Sequence, residues 1–184
     1  MSAQNHAPET EEVVAAARRQ RAALALSFPP IERVAAALAE TCRQLGSVEH
    51  PRGRATVAAI AARWGWLESS LPLHLVCAPW TELDQVRAFA RTLQPRRELI
   101  GFVMPANLPG AGLHELAAAL LAGCAVIAKT AAAEPIFFGE FARALAALEP
   151  ALGARIAVFN WRRDRGDLTA AMSAHCDRVV AFGD

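Results

Sequence analysis

The segment of residues 98–133 constrains the fold more than any other part of the sequence, because two apolar runs flank a stretch rich in alanine and leucine. The first run, residues 99–104, stops at Pro105, and the second, residues 124–128, stops at Lys129. This order predicts a strand, a loop, a helix and a second strand. Ligands of open parallel sheets bind beyond the carboxyl ends of the strands, so the residues after the two runs are the first candidates for a site.

The same alternation continues to the end of the chain and indicates the fold class. Near-continuous apolar runs are typical of parallel strands that are covered on both faces, and crossovers between such strands are right-handed almost by rule. We therefore predict an α/β fold, a Rossmann-like parallel sheet with helices on both faces. The predicted strands lie near residues 99–104, 124–128, 156–159 and 179–182.

The front part of the chain has a helical pattern instead. Thr10 is suited to cap a first helix, and apolar side chains recur every three or four residues along a second. Residues 71–79 fit either a short strand or a helix end, and Thr81 begins a sequence that resembles a capping box. We expect a helical N-terminal region of residues 1–94 and a Rossmann-like cofactor-binding domain of residues 95–184.

Composition excludes several classes of protein. With 54% hydrophobic and 20% charged residues, the chain is expected to fold, and its net charge of +1 gives no reason to expect nucleic acid or a membrane surface as partner. No apolar run approaches the roughly 20 residues that a membrane span needs, and the polar, acidic start does not predict a signal peptide. The four cysteines are isolated and no Cys/His spacing fits zinc, so we expect no metal site and a reducing, cytoplasmic location.

Asn107 is the first candidate for chemistry, since it lies between Pro105 and Pro109 in a loop that the two prolines stiffen. A rigidly placed amide is a hydrogen-bond donor that can stabilise an oxyanion. The alternative is an Asx-turn, in which the side chain bonds only to its own loop. The residues alone favour the Asx-turn.

Lys129 is the second candidate, because a lysine at the end of an apolar strand can meet a phosphate or a ribose, or equally extend into solvent. Gly110 and Gly112 supply the first two glycines of a GxGxxG fingerprint. Glu115 occupies the third position, so a flexible turn is the better interpretation of these glycines. Cys124 starts a predicted buried strand and is interpreted as a small buried hydrophobe rather than as a nucleophile.

Residues 102–135, FVMPANLPGAGLHELAAALLAGCAVIAKTAAAEP, resemble the start of the cofactor-binding domain of the aldehyde dehydrogenase superfamily. There a strand leads to a Pro-x-Asn-x-Pro loop, a helix, a glycine and a strand that ends in lysine. The final VVAFGD is similar to a later strand of that domain, which ends in glycine. Within the superfamily, NLPG and LLAGCAVIAKT resemble the fatty acyl-CoA reductases that supply aldehyde to bacterial luciferase.

The resemblance implies roles for individual residues. Asn107 would be the oxyanion-hole amide, and Pro105, Lys129 and Gly183 would bind the cofactor. Lys129 would contact the adenosine ribose or its 2′-phosphate, and Gly183 would start the turn under the pyrophosphate. The implied cofactor is NADP or NAD, and the implied substrate is an acyl-CoA or an aldehyde. The preference between the two cofactors stays open, because Ala132 stands where many members carry an acidic residue.

In the superfamily, the catalytic cysteine lies in a second domain well beyond the strand that ends at Gly183, whereas this sequence stops at Asp184. The first hypothesis is the N-terminal, cofactor-binding part of an NAD(P)H-dependent acyl-CoA reductase or aldehyde dehydrogenase-like oxidoreductase, truncated before its catalytic domain and inactive alone. The alternative is a non-catalytic remnant or subunit. It would act as a nucleotide-binding or protein-interaction module, with a partner chain or as a homo-oligomer.

Overall fold

The computed structural model describes residues 9–68 and 73–182 of the 184-residue chain. At its centre lie four strands, β1 (Leu99–Val103), β2 (Ala125–Thr130), β3 (Ile156–Asn160) and β4 (Arg178–Ala181). They form one sheet in the order β3-β2-β1-β4, and all the pairings are parallel. The predicted α/β fold is confirmed, and the strands differ from their predicted bounds by two residues at most.

Helices occupy most of the remaining described chain, and the predicted helical start is confirmed. Five precede the sheet, namely α1 (Thr10–Ala25), α2 (Ile31–Gly46), α3 (Pro51–Trp64), α4 (Leu73–Cys77) and α5 (Leu83–Thr92). The others follow β1, β2 and β3, namely α6 (Leu113–Leu121), α7 (Ile136–Leu148), α8 (Pro150–Gly153) and α9 (Gly166–His175). The ambiguous segment of residues 71–79 is helical from Leu73 onward and continues into a 3-10 turn at Ala78–Trp80.

Strands β1 and β2 are buried on both faces, which explains why they are apolar without alternation, whereas the edge strand β4 is largely exposed. Successive side chains of a strand point to opposite faces. On β2, Ala125 and Ile127 join a core with residues of α1 and α9, whereas Val126 and Ala128 join a larger core with residues of α2 to α7. Both faces of β2 therefore have to be apolar, and the four side chains are fully buried.

Helix α1 belongs to the packing of the sheet, although it lies far from the strands in sequence. It contacts β1, β2, β3 and α9, and its Val13 and Ala17 are almost completely buried in the core that includes Leu99. At the outer end of this contact, Arg21 forms an ion pair with Asp177, whose carboxylate lies 2.9 Å away. The boundary near residue 95 stays a prediction, but both apolar cores extend across it.

Two predicted helix caps are wrong by one residue. Glu9, not Thr10, is the N-cap of α1, and its backbone N–H donates to the carboxylate of Glu12 at 3.3 Å. Glu82, not Thr81, is the N-cap of α5. The hydroxyl of Thr81 instead donates to the carbonyl of Ala78 at 3.0 Å, because the chain arrives at α5 from a 3-10 turn.

Candidate functional site

A cleft of about 800 Å³ opens at the carboxyl ends of the strands. Each strand or its continuation contributes to the cleft wall: Val103 ends β1, Lys129 lies near the end of β2, Arg163 follows β3 and Phe182 follows β4. The remaining wall comes from the loop after β1, the start of α6 and the loop after β2, with Met104, Pro105, Ala106, Asn107, Ala111, Gly112, Glu115, Ala131, Ala132 and Ala133. The cleft therefore occupies the position where open parallel sheets bind their ligands.

The loop between β1 and α6 is a succession of tight turns that needs glycine. Gly112, the N-cap of α6, has a φ of 91°, a left-handed conformation that glycine adopts without steric cost. A Cβ atom at this residue would lie 2.8 Å from the sulfur of Met104 and 3.3 Å from the ring of Phe182. Gly112 thus lets α6 begin directly against the ends of β1 and β4, and the predicted turn function of this glycine agrees with its geometry.

Asn107 lies exposed on this loop, in the wall of the cleft. Within residues 9–68 and 73–182, its side-chain amide forms no hydrogen bond with another protein group. The Asx-turn that the sequence favours is therefore not formed in the described structure. The amide is available to a ligand, while Pro105 fixes the chain where it leaves β1.

Lys129 is the only lysine among the 184 residues. It sits next to Val103 of β1 on one side and Phe159 of β3 on the other, and the N–H of Met104 donates to its carbonyl at 2.9 Å. The side chain is half-buried in the cleft wall, and this burial lowers the pKa of the ammonium group from its ordinary value. In the part of the chain that the structure describes, no carboxylate lies within 4.0 Å of it.

The loop after β2 is fixed from outside by side chains of α3. Arg63 donates to the carbonyls of Ala132 and Ala133 at 2.7 and 2.8 Å, and the indole of Trp64 donates to Ala133 at 2.9 Å. From the β3 side, the amide of Asn160 donates to the carbonyl of Ala131 at 2.7 Å. This loop therefore presents three small side chains to the cleft on a backbone whose carbonyls are already bonded.

Glu134 is the first acidic residue after Lys129 in the sequence, but its role is in α7 and not in the cleft. Its carboxylate accepts hydrogen bonds from the backbone N–H groups of Ile136 and Phe137, both at 2.8 Å, and so caps α7. Only 4% of the residue is exposed. Burial raises the pKa of this carboxyl group, against the opposing effect of the two N–H groups and of Arg63. Glu134 does not line the cleft.

The structure brings together Pro105, Asn107 and Lys129, three of the four residues that the sequence singled out, in the wall of one cleft. Gly183 lies outside the described residues. The residue before it, Phe182, lines the cleft and donates its N–H to the carbonyl of Val103 at 3.1 Å.

Two charged residues of the cleft have no clear signal in the sequence. Arg163 is exposed in the connection from β3 to α9, and its pair with Arg162 is indistinguishable in sequence from an ordinary solvated cluster. Arg163 lies three residues beyond Asn160, the last residue of β3. A search for charged residues soon after each strand would therefore have identified it. Glu115 lies in the first turn of α6 and lines the cleft, whereas the sequence shows only that it occupies the third position of the GxGxxG pattern.

The cysteines lie elsewhere. Cys42, Cys77 and Cys124 are fully buried, so the interpretation of Cys124 as a buried hydrophobe is confirmed. Cys176 is partly buried, and burial raises the pKa of its thiol to about 11. Among the described residues, no cysteine lines the cleft. A separate finding is that no described helix is both long and apolar enough to cross a membrane.

Comparisons with known proteins agree with this architecture. Among solved structures, an aldehyde dehydrogenase from Bacillus cereus in complex with NAD⁺ is 14% identical and superposes with a TM-score of 0.69 over 97% of this chain and 39% of its own. The putative aldehyde dehydrogenase PutA from Anabaena variabilis is 20% identical, with a TM-score of 0.70 over 96% of this chain and 40% of its own. The chain thus spans about two fifths of the length of these structures and shares their fold.

No curated protein matches the chain. The family model for acyl-CoA reductase (LuxC) matches residues 82–184, which include the strand, loop, helix and strand that suggested this family. Because the match covers more than half of the 184 residues, the chain belongs to the acyl-CoA reductase (LuxC) family.

Proposed function

We propose that this chain is the cofactor-binding portion of an NAD(P)H-dependent acyl-CoA reductase, which converts an acyl thioester to an aldehyde. One observation supports it most: a single cleft at the carboxyl ends of the strands holds Pro105, Asn107 and Lys129 together. Family membership points to the reaction. The Bacillus cereus structure, described as an NAD⁺ complex, is consistent with a dinucleotide in a fold of this kind.

The residues of the cleft fit a nicotinamide dinucleotide. Small-molecule sites in proteins enclose about 300–1,000 Å³, and this cleft has about 800 Å³. Gly112 brings the start of α6 against the ends of β1 and β4, where a Cβ would lie 2.8 Å from the sulfur of Met104. Lys129 offers an ammonium group without a protein carboxylate among the described residues. Lys129 would hold the ribose or its phosphate, Pro105 would fix the adjoining loop, and Gly183 would follow as the turn after Phe182. The cofactor, when bound, supplies a hydride.

Asn107 would act on the substrate rather than on the cofactor. As the acyl carbon becomes tetrahedral, its oxygen gains negative charge, and an amide N–H that is already in place stabilises that charge. The exposed side chain of Asn107 is free to donate such a bond within the described structure. The loop between two prolines limits how far the amide can move away.

The acyl-carrying thiol is proposed to come from outside the described residues, because none of their cysteines lines the cleft. A second domain or a partner chain of different sequence are the candidates for its source. The acyl carbon would exchange the sulfur of CoA for the enzyme sulfur, which releases CoA. A hydride delivered to that carbon would add to it, and the enzyme sulfur would leave as a thiolate, which would give the aldehyde.

Calorimetry with the purified chain tests the cofactor half of this proposal. We expect NADP⁺ or NAD⁺ to bind, and Lys129→Ala to weaken the binding about tenfold or more, since it removes a charge-assisted contact. Arg18→Ala is the matched control, because it removes one positive charge from an exposed position of α1, away from the cleft. A folded chain that binds neither dinucleotide would contradict the proposal and favour a module kept for protein contacts.

A further inference from the structure

A second cavity, of about 540 Å³, adjoins the cleft on the side of α3. It is lined by Arg63 and Trp64 at the end of α3 and by Ala106 and Ala133 from the loops after β1 and β2. The two alanines also line the cleft, so the two spaces are neighbours. Ala106 directly precedes Asn107 in the chain. The cavity therefore lies beside the amide that is proposed to bind the substrate oxygen.

The polar groups of this wall already have partners within the protein. The indole N–H of Trp64 and two nitrogen atoms of Arg63 donate to backbone carbonyls of the loop after β2. Among the described residues, Arg63 is the only charged residue that lines the cavity, and the two alanines present methyl groups. A hydrocarbon chain can therefore enter the cavity and leave water without breaking a hydrogen bond of the protein.

Exposed apolar side chains follow directly at the end of α3. Gly65 ends this helix with a φ of 65°, a left-handed conformation that suits glycine. Trp66 then packs edge-on against Trp64, and the ring centroids lie 4.5 Å apart. Trp66 is 43% exposed and Leu67 is 75% exposed. Exposed apolar surface of this kind marks sites for ligands or proteins, and here it adjoins a cavity that is connected to the proposed site.

We infer that this cavity, together with the indoles of Trp64 and Trp66, binds the acyl chain of the substrate. The inference rests on the proposed function and deepens it, because it assigns a place to the part of the substrate that does not react. The acyl chain starts at the carbon whose oxygen Asn107 would hold, passes the small side chain of Ala106 and enters the cavity beside Trp64. Aromatic side chains supply large apolar contact area for such a chain.

Calorimetry on the purified chain tests the inference with CoA and its butanoyl, octanoyl and dodecanoyl thioesters. Burial of one CH₂ group raises affinity about fourfold, so we expect affinity to rise with chain length until the cavity is filled. Ala106→Leu and Ala133→Leu occupy part of the cavity. Each should reduce the advantage of dodecanoyl-CoA over CoA about tenfold or more, the equivalent of about two lost CH₂ contacts. Ala62→Leu is the control and should retain the advantage, because Ala62 is exposed on α3 and lines neither space.

Two results of this series would overturn the inference. One is an affinity that does not rise with chain length in the wild type. The other is an equal loss for CoA and dodecanoyl-CoA in Ala106→Leu, which would assign the cavity to another part of the ligand. Titration with NADP⁺ and NAD⁺ separates this inference from the proposed function. If a dinucleotide binds but no thioester binds more tightly than CoA, the inference is wrong and the proposed cofactor site stands. If neither dinucleotides nor thioesters bind to the folded chain, both fail.

Tryptophan fluorescence gives a second, independent measurement of where the acyl chain lies. Of the four tryptophans, Trp80 and Trp161 are buried, whereas Trp64 is partly buried and Trp66 is exposed. Bromine quenches indole fluorescence on contact, so 11-bromoundecanoyl-CoA should quench the wild type more than undecanoyl-CoA does. The double variant Trp64→Phe, Trp66→Phe should lose most of this difference. The control Trp161→Phe should keep it, because Trp161 lies in the core with α1 and α9. Equal quenching in the double variant and the control would overturn the placement of the chain.

Discussion

At the scale of single residues, the cleft contains side chains that have no side-chain partner in the described structure and are therefore available to a ligand. The amide of Asn107 and the ammonium group of Lys129 have no side-chain partner within the described structure. The opposite is true of Glu134, which is buried with its carboxylate oxygen bonded to two backbone N–H groups. This difference separates residues with a proposed role at the site from one that stabilises α7.

The role proposed for Asn107 predicts a specific kinetic defect. In an enzyme that contains this chain together with its thiol-bearing part, Asn107→Ala should lower kcat by about 100-fold or more, because an oxyanion donor acts mainly in the transition state. Steady-state kinetics with acyl-CoA measure the effect. The dissociation constant of the cofactor should change little, since Asn107 is proposed to contact the substrate oxygen. A loss of cofactor binding with unchanged kcat would assign Asn107 to the cofactor instead.

The sequence can locate residues of the cleft wall near the ends of predicted strands, but the roles of those residues at the site stay predictions. Pro105, Asn107 and Lys129 were found because two apolar runs mark the strand ends. Arg163 was not, because its place in the cleft depends on β3 lying beside β2, which is a property of the sheet order. The role of Glu134 also could not be assigned from the sequence, because a carboxylate at this distance from Lys129 could contact a ribose as well as cap a helix.

At the scale of elements, the β1–α6 connection determines the shape of the cleft. Gly112 combines a φ of 91° with close approach to Met104 and Phe182. Gly112→Ala should therefore lower the free energy of unfolding by about 1–3 kcal/mol, the usual cost of a residue held in a disfavoured backbone conformation. It should also weaken nucleotide binding, because the new methyl group enters the cleft wall. Urea denaturation and calorimetry measure the two effects.

Gly166→Ala is the control for this substitution. Gly166 likewise lies at the start of a helix, as the first residue of α9, but it has no positive φ, and a Cβ there would meet nothing within 4 Å. Alanine should leave stability unchanged or raise it by about 0.4–1 kcal/mol, since it restricts the unfolded chain. Equal effects at the two positions would show that the backbone of Gly112 is not what requires glycine.

The strands were the elements best predicted from the sequence, because burial on both faces leaves long apolar runs in β1 and β2. The caps of α1 and α5 were less accurate, since each predicted cap lies one residue away from the N-cap in the structure. The contact of α1 with the sheet had no clear signal, since half of its buried residues are alanine: Ala16, Ala17 and Ala23 lie beside Val13, Gln20 and Leu24.

At the scale of the whole molecule, helices from the first part of the chain contribute to both apolar cores that enclose the central strands. Helix α1 packs with α9 on one face, and α2 packs with α6 and α7 on the other. The sheet therefore obtains much of its burial from residues before the predicted boundary at residue 95. Apolar burial is the main favourable contribution to folding.

This packing predicts the behaviour of a shortened chain. Residues 95–184 expressed alone should lose cooperative unfolding and bind a dye for exposed apolar surface, because α1 no longer covers the sheet and α2 no longer covers α6 and α7. Circular dichroism during urea denaturation and dye fluorescence, with the full chain as control, measure this. Cooperative unfolding of the fragment would show that the boundary separates an independently folding domain.

The central claim is that the cleft at the carboxyl ends of the four strands binds a nucleotide, and amide chemical-shift mapping of the ¹⁵N-labelled chain tests it most directly. On titration with NADP⁺, the account predicts that the largest changes cluster at residues 103–107, 111–115 and 129–133 and at Arg163 and Phe182, which line the cleft or adjoin it. The helices on the outer surface, such as the exposed side of α1, should change little. Absence of changes at the cleft, or a cluster elsewhere on the molecule, would contradict the claim.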